Sequence, residues 1–331
     1  MRILFTGASF VWPSNPMLTR GLVKAAQLDG HAICQNLEDA PDLVVCLDYL
    51  PRFKRLLRRA RMLGIPCLLI KQEPAAIIPQ HRYSNPGHLF HKVITKGSSE
   101  ESKIFNCLLS WDVKFIGETK RIEKVVAISA DKWSFVPSEL YSLRLGAYSL
   151  DPRIDVYGHG WSRGIMERLI SLVKALYVTL ASATAPKLSN LIFAFRKPLN
   201  YLGSAEDKAL TLSRYKVALV IENDLSSMSE KLVDSILAGT IPVYVGPKTE
   251  PFGIPESLVV QAQPELSAVL NAISLALSWD SADYRRRALL WAENAVSMSN
   301  WNPEEVDARL LNHIVEWYTN HASRSNINGS L

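Results

Sequence analysis

The stretch from Tyr215 to Gly246 constrains the fold most, because its pattern is strand, polar loop, helix and strand. Residues 217–221 form an uninterrupted apolar run rich in β-branched side chains, which is typical of a strand buried on both faces. Residues 241–245 form a second run of this kind. A β-loop-α-β unit with two buried strands predicts an open parallel sheet.

The helix between these two strands is predicted from its ends. Ser227 and Glu230 have the spacing of a capping box, and Gly239 is suited to end a helix. The apolar residues between them share one helical face: Leu232, Val233, Ile236 and Leu237. We therefore expect a helix that begins near Ser227 and ends at Gly239.

The polar loop before this helix is the expected ligand site. Glu222 and Asn223 follow the first strand directly, and open parallel sheets bind ligands at the carboxyl ends of their strands. Lys231 falls in the first turn of the predicted helix, where the helix dipole disfavours a cation by about 0.3 to 1 kcal/mol. A bound anion would reverse this effect, although a lysine that extends into solvent explains the same pattern.

The N-terminal part of the chain alternates short apolar runs with helical patterns. The expected strands are 2–5, 31–34, 42–47 and 65–70, and the expected helices are 17–28 and 52–63. This rhythm predicts a Rossmann-like half. The loop after the first strand contains Gly7 but lacks the spacing of a dinucleotide fingerprint, so nothing there argues for a nicotinamide cofactor.

A second Rossmann-like half is expected to open with a strand at 125–129. Helical patterns near the C-terminus cover 265–277, 283–298 and 303–319. We predict an α/β fold with an N-terminal domain at 1–118 and a C-terminal domain at 119–320, whose last helices are expected to brace the two halves. The mostly polar residues 321–331 are expected to form a frayed tail.

Composition limits the cofactors and the compartment. The four cysteines lie at irregular spacing in the first third of the chain and are interpreted as reduced core thiols: Cys34, Cys46, Cys67 and Cys107. The histidines have no metal-ligand spacing and there is no Asp-x-Asp pair. We therefore predict no metal site and no tightly bound cofactor, although a divalent ion would help to bind a diphosphate.

Three extended segments resemble the donor-binding signature of the α-1,3-fucosyltransferase family. They are Tyr-Lys-Val-Ala-Leu-Val-Ile-Glu-Asn at 215–223, Ser-Glu-Lys-Leu-Val-Asp at 229–234 and Leu-Ala-Gly-Thr-Ile-Pro-Val-Tyr-Val-Gly at 237–246. Similar segments lie at 154–160, 200–208 and 211–215. The resemblance is dense from about Val125 to Gly246 and thin elsewhere. It implies a GT-B architecture, in which two Rossmann-like domains face a cleft, the N-terminal domain binds the acceptor and the C-terminal domain binds the GDP-sugar.

The resemblance also implies a reaction, the transfer of fucose from GDP-fucose to a glycan hydroxyl with inversion. Arg144 matches the family arginine that contacts the donor diphosphate, and Tyr157 and Gly158 lie in a segment that approaches the donor. Glu73 with Pro74 is similar to the segment that carries the general base, although the small residue between Glu and Pro is absent here. The alternative is that Glu73 is an exposed turn carboxylate with no catalytic role.

In the implied mechanism Glu73 removes the acceptor proton, while Arg144 and Lys231 neutralise the leaving diphosphate. Glu222, Asn223 and Glu230 hold ribose or fucose hydroxyls and order the loop. Seven residues separate Glu222 from Glu230, which is also the spacing of the paired glutamates in retaining GT-B glycosyltransferases. A second alternative is a non-catalytic protein that binds carbohydrate or nucleotide.

Charge patterning suggests a membrane partner. The chain has a net charge of +5 and a sequence pI of about 8.9. Cations crowd residues 52–61 and 163–197, and both segments also have apolar residues near helical spacing. We expect a cytoplasmic, bacterial-type enzyme that contacts the anionic inner face of a membrane and uses a glycan or lipid-linked acceptor. Packed helices with solvated charges remain the alternative, and no nucleic-acid partner is expected.

Overall fold

The computed structural model describes residues 1–8, 16–97, 120–182, 184–193, 195–294 and 301–328. The chain divides into two compact units. The first unit contains Met1–Pro74, Gln80–Leu108 and Ser299–Leu331. The second unit contains Ala75–Pro79 and Leu109–Met298.

The strands and helices of the described residues alternate along most of the chain. The strands are β1 Arg2–Thr6, β2 Ala32–Cys34, β3 Leu43–Leu47, β4 Cys67–Lys71, β5 Lys92–Thr95, β6 Ile122–Ile128, β7 Ile154–Tyr157, β8 Asn200–Tyr201, β9 Tyr215–Ile221, β10 Ile241–Val245 and β11 Val260–Gln261. The α-helices are α1 Pro16–Leu28, α2 Lys54–Met62, α3 Tyr141–Leu150, α4 Ile165–Ala181, α5 Lys208–Ser213, α6 Lys231–Leu237, α7 Leu266–Ser278, α8 Ser281–Ala292 and α9 Pro303–Asn328.

The first unit is built on a parallel five-stranded sheet of order β2-β1-β3-β4-β5. Every residue of β3 and of β4 is buried, because both faces of these strands are covered. Alternate side chains point to opposite faces, so Ile3 and Val45 join one apolar cluster while Leu4 and Val44 join the other. The strands predicted for this half are therefore confirmed, with ends that differ by one or two residues.

The C-terminal helix α9 completes the core of the first unit. Its side chains Val306, Leu310 and Ile314 are fully buried in the cluster that contains Ile3 and Leu22. Residues 303–319 were expected to belong to the second domain, as one of the helices that brace the two halves. Burial against β1 and α1 instead assigns the helix to the first unit. The expected frayed tail also differs, since α9 is helical to Asn328.

The second unit is built on a parallel six-stranded sheet of order β11-β10-β9-β6-β7-β8. Its centre is β9, which pairs with β10 and with β6. Residues Val217 and Val243 are fully buried, as their apolar runs predicted. Helices α6 and α7 pack against these strands. The strands β7 and β8 were anticipated only as segments that resemble the family.

The described cysteines lie in the core of the first unit. Cys34, Cys46 and Cys67 are buried free thiols, in agreement with their interpretation as core residues, whereas Cys107 lies outside the described residues. Burial raises the pKa of the Cys67 thiol to about 12.

No helix among the described residues is long and apolar enough to cross a membrane.

Candidate functional site

The strand order of the second sheet reverses between β6 and β9. From β6 the chain builds β7 and β8 on one side and β9, β10 and β11 on the other. At such a reversal, ligands of α/β sheets bind in the crevice beyond the carboxyl ends of the two central strands. The backbone N–H of Leu140, after β6, donates to the carbonyl of Asn223, after β9, at 3.0 Å. The two loops that border the candidate site therefore meet directly.

Glu222 closes the loop after β9, because its carboxylate at the start of the loop binds the backbone of Ser229 near the end of the loop. Its side chain is buried, with 1% of the residue exposed, and Oε1 accepts the backbone N–H of Ser229 at 2.8 Å. Burial raises the pKa of Glu222, and the neighbouring Lys231 cation opposes that rise. A donor hydroxyl has almost no access to this carboxylate in the present conformation. A direct role of Glu222 in binding a donor hydroxyl stays a prediction, whereas its hydrogen bond to Ser229 gives it a structural role in the loop.

The helix after the loop begins later than predicted. Helix α6 starts at Lys231, Glu230 is its N-cap, and no side-chain hydrogen bond caps it. The capping box expected from Ser227 and Glu230 is therefore wrong. The predicted end is correct, since Gly239 has a left-handed φ of 66° and its N–H donates to the carbonyl of Ile236.

Local hydrogen bonds explain the late start. The carboxylate of Asp224 accepts the backbone N–H of Ser226 at 2.9 Å and the hydroxyl of Ser226 at 2.6 Å. The N–H of Ser229 is taken by Glu222, and Met228 is buried with 3% exposed. Side chains that compete with the helix for backbone N–H groups favour turns over helical backbone. The loop is thus held in a non-helical shape up to Glu230.

Arg144 and Asn223 hold the end of β9 together. The Nε of Arg144 donates to the carbonyl of Ile221 at 2.8 Å, and its Nη2 donates to that carbonyl and to Asn223 Oδ1, the latter at 3.0 Å. The guanidinium also lies 4.9 Å from the ring centroid of Tyr141, and only 5% of the residue is exposed. Arg144 therefore binds the strand end in this structure, and its contact with a diphosphate stays a prediction.

Lys231 and Glu230 lie on the accessible side of the loop. The Nζ of Lys231 donates to Ser229 Oγ at 3.2 Å, which joins the cation to the loop that Glu222 closes. Glu230 has 28% of its side chain exposed and lies 3.9 Å from Nζ of Lys208. Both residues are partly exposed, so they are able to contact a ligand in the crevice.

Tyr157 and Gly158 lie at the end of β7 and make different contacts. The hydroxyl of Tyr157 lies 3.2 Å from the hydroxyl of Tyr215, which donates to Asp155 at 3.0 Å. This side chain thus points back along the sheet, and the structure does not bring its hydroxyl together with Glu222 and Lys231. Gly158 has a φ of 139°, and a Cβ there would lie 2.0 Å from the carbonyl oxygen of Ser129. Only glycine permits this approach of β7 to the end of β6.

Gly246 is a site residue that the sequence analysis did not single out. A Cβ at this position would lie 2.2 Å from the hydroxyl of Tyr244 and 2.8 Å from Cγ of Glu222. The space that Glu222 needs for its buried position is therefore made by a glycine at the end of the next strand. Its place directly after the buried run of β10 was the available signal, the same signal that identified Glu222 after β9.

The first unit has the same arrangement at its own strand reversal, between β1 and β3. Asp48 follows β3, is fully buried and has a left-handed φ of 61°. Its Oδ1 accepts the backbone N–H groups of Gln72 at 2.7 Å and of Glu73 at 3.1 Å. Asp48 was missed although it follows the apolar run 43–47 directly. It positions the turn that carries Glu73.

His81 supports this turn from the other side. Its Nδ1 donates to the carbonyl of Glu73 at 2.6 Å, and its Nε2 accepts the N–H of Tyr49 at 3.2 Å. These bonds require the neutral ring, and burial lowers the pKa of His81 to about 4. The Nζ of Lys71 donates to the carbonyls of His81 and Tyr83 at 3.1 and 2.7 Å. The backbone around Glu73 is therefore held at several points, while its side chain stays partly exposed.

Within the described ranges, no three side chains of His, Cys, Asp or Glu come together as metal ligands. Two cations, Lys231 and Arg144, lie at the end of β9 and in the loop that follows it.

Solved structures with the same fold include Anabaena Alr3699/HepE in complex with UDP-glucose, which is 10% identical over 96% of this chain and 100% of that one, with a TM-score of 0.57. A glycosyltransferase from Rickettsia africae ESF-5 is 10% identical over 96% and 98%, with a TM-score of 0.52. The fold is α/β with two Rossmann-like domains of GT-B type. The predicted fold class is thereby confirmed.

An α1,3-fucosyltransferase structure is also similar, at 11% identity over 94% of this chain and 90% of that one. Its TM-score of 0.49 is too low to favour fucose over another sugar. No protein-family model matches the chain, and no curated protein matches it either. The resemblance to the fucosyltransferase family therefore rests on the segments quoted above.

The first unit is expected to lose stability in mild acid because of His81. The pKa of His81 falls from 6.5 in the unfolded chain to about 4 in the folded one. The neutral ring therefore contributes to the free energy of unfolding in full above pH 6.5, and this contribution is lost as the pH falls towards 4. Wild type should lose about 2 to 3 kcal/mol more than His81→Gln between pH 7 and pH 4.5. Urea unfolding at both pH values measures the difference, and equal losses would contradict the buried neutral ring.

Proposed function

We propose that this chain is a glycosyltransferase that binds a nucleotide-sugar donor in the crevice between β6 and β9. The observation that carries the proposal is the set of polar groups that meet there, with Lys231 joined through Ser229 to the loop that Glu222 closes. A leaving nucleoside diphosphate needs cations at the point where its charge develops. The GT-B type of the two units supports the same conclusion.

The donor we propose is GDP-fucose, and the acceptor is a hydroxyl of an N-acetylglucosamine-type glycan, joined in α-1,3 linkage. The choice of fucose is supported by the segments at 215–223, 229–234 and 237–246. UDP-glucose is the natural comparison donor, because the Anabaena protein was solved with it. Turnover with GDP-fucose and not with UDP-glucose is the expected result.

The proposed reaction is an in-line displacement at the anomeric carbon. Lys231 holds the leaving diphosphate, and Arg144 contributes positive charge from its buried position at the end of β9. Asn223 and Glu230 bind donor hydroxyls, while Glu222 orders their loop. Glycine at positions 158 and 246 leaves the space that these loops require.

The base we propose is Glu73. Asp48 and His81 bind the backbone of its turn on either side, so the carboxylate is carried on a held segment rather than on a free loop. A held base has less conformational freedom to lose when an acceptor binds, which favours proton transfer in one geometry. Asp48 is in this view a positioning residue that acts through the turn.

The alternative mechanism is retaining transfer that uses Glu222 and Glu230. The burial of Glu222 with its bond to Ser229 favours the inverting mechanism, because that carboxylate is engaged away from solvent. The anomeric configuration of the product, measured by NMR, separates the two mechanisms. A protein that binds GDP but transfers no sugar from any nucleotide-sugar would instead be a binding module.

Lys231→Ala is expected to weaken GDP binding by about 10- to 100-fold, because a charged contact to phosphate contributes about 1.5 to 3 kcal/mol. Isothermal titration calorimetry with GDP measures the change. Lys216→Ala is the matched control, since Lys216 lies near the amino end of β9 and pairs with Glu123. Equal affinity of wild type and Lys231→Ala would remove the proposed diphosphate contact.

Glu73→Gln is expected to reduce kcat by about 10² to 10⁴, because the acceptor hydroxyl loses its base. GDP affinity should stay at the wild-type value, since the change is made outside the donor site. Glu38→Gln is the control, as Glu38 is an exposed carboxylate of the same unit that pairs with Arg59. Unchanged turnover by Glu73→Gln would show that another group accepts the proton.

A further inference from the structure

Helix α4 is fixed to its unit by one face. Arg168 is buried, forms an ion pair with Asp131 at 3.2 Å, and donates to the carbonyl of Arg196 at 2.9 Å. Leu172 packs against Phe135, and Thr179 is also buried. These inward residues recur at helical spacing, so the opposite face of the helix is determined as well.

The outward face of α4 is apolar. Met166, Ile170, Val173 and Tyr177 lie on it at successive helical turns, and between 52% and 71% of each residue is exposed. A surface helix normally presents polar residues on the side away from its core. This stripe is fixed in place by the inward contacts, so it is unable to turn into the core of its own unit.

The segment after α4 adds further exposed apolar surface. Leu188, Leu191, Ile192 and Phe195 are 46% to 69% exposed. Asn190 anchors the segment by donating to the carbonyl of Ser134 at 3.1 Å and to Glu139 at 2.8 Å. Exposed apolar side chains that are grouped on two consecutive segments, each held by packing or hydrogen bonds, are typical of a binding surface.

Cations accompany the apolar surface. Among the described residues of 163–197, the cationic side chains outside the buried Arg168 pair are Arg163, Lys174, Lys187, Arg196 and Lys197. Glu167 is the single carboxylate in the same range of the sequence. Apolar side chains that insert between lipids, together with flanking cations, are the pattern of a helix that lies in an anionic membrane interface.

We infer that α4 and residues 188–193 and 195–197 form a docking surface for an anionic lipid membrane. The apolar stripe from Met166 to Tyr177 enters the acyl boundary, and the flanking lysines and arginines contact lipid phosphates. Charge decides between this occupant and a second copy of the chain, because two copies joined through this surface would bring like charges together. The inference does not depend on the proposed reaction, since lipid binding is measured without any donor or acceptor.

Vesicle flotation of the full-length chain tests the inference. We expect binding to vesicles that contain phosphatidylglycerol at low salt, and at least about tenfold weaker binding to vesicles of phosphatidylcholine alone. The triple variant Ile170→Ser, Val173→Ser and Tyr177→Ser should lose roughly tenfold or more of the binding. Lys174→Glu with Lys197→Glu should remove the preference for the anionic lipid, and Lys187 is left unchanged because it pairs with the buried Glu139.

The control variant carries Leu275→Ser and Leu290→Ser, which replace residues that are 53% and 61% exposed on α7 and α8 of the same unit. It should bind vesicles as wild type does. Wild type that stays unbound with anionic vesicles at low salt would overturn the inference, as would a triple variant that binds normally. A wild-type dimer in sedimentation that the triple variant converts to a monomer would identify a second copy as the occupant and overturn it too.

Discussion

The burial of one carboxylate, Glu222, determines the shape of the candidate donor site. Its hydrogen bond to the N–H of Ser229 prevents the helix from starting at Ser227 and leaves Lys231 as the first helical residue. The carboxylate fits only because Gly246 has no side chain. Burying this carboxylate contributes little net stability, since the cost of removing it from water offsets the hydrogen bond and the attraction of the Lys231 charge. Its effect is therefore on the conformation of the loop.

The two units use the same arrangement at the reversal of their strand order. In each one, an acidic residue that directly follows a buried central strand accepts backbone N–H groups of a loop: Asp48 for Glu73, and Glu222 for Ser229. In each one, a glycine also packs on the carbonyl of a neighbouring strand end, Gly7 on Leu47 and Gly158 on Ser129. The parallel sheet brings these groups to one edge, and the acidic residue orders the segment that would meet a ligand.

The sequence predicted the strands better than it predicted the site. Runs such as 217–221 are apolar without interruption, and burial on both faces follows from that pattern alone. The start of α6 was not predictable, because the competing hydrogen bond comes from Glu222, seven residues away, and depends on space made by Gly246. The position of α9 was not predictable either. Its amphipathic pattern shows that one face is buried, and only tertiary packing shows that the partners are Ile3 and Leu22.

The central claim is that an anionic leaving group binds between the ends of β6 and β9 beside Lys231. A crystal structure of the chain with GDP bound tests it most directly. We expect phosphate oxygens within about 3 Å of Nζ of Lys231, with the loop at 223–229 still closed by Glu222. GDP bound at another place, with Lys231 free of phosphate contacts, would contradict the account.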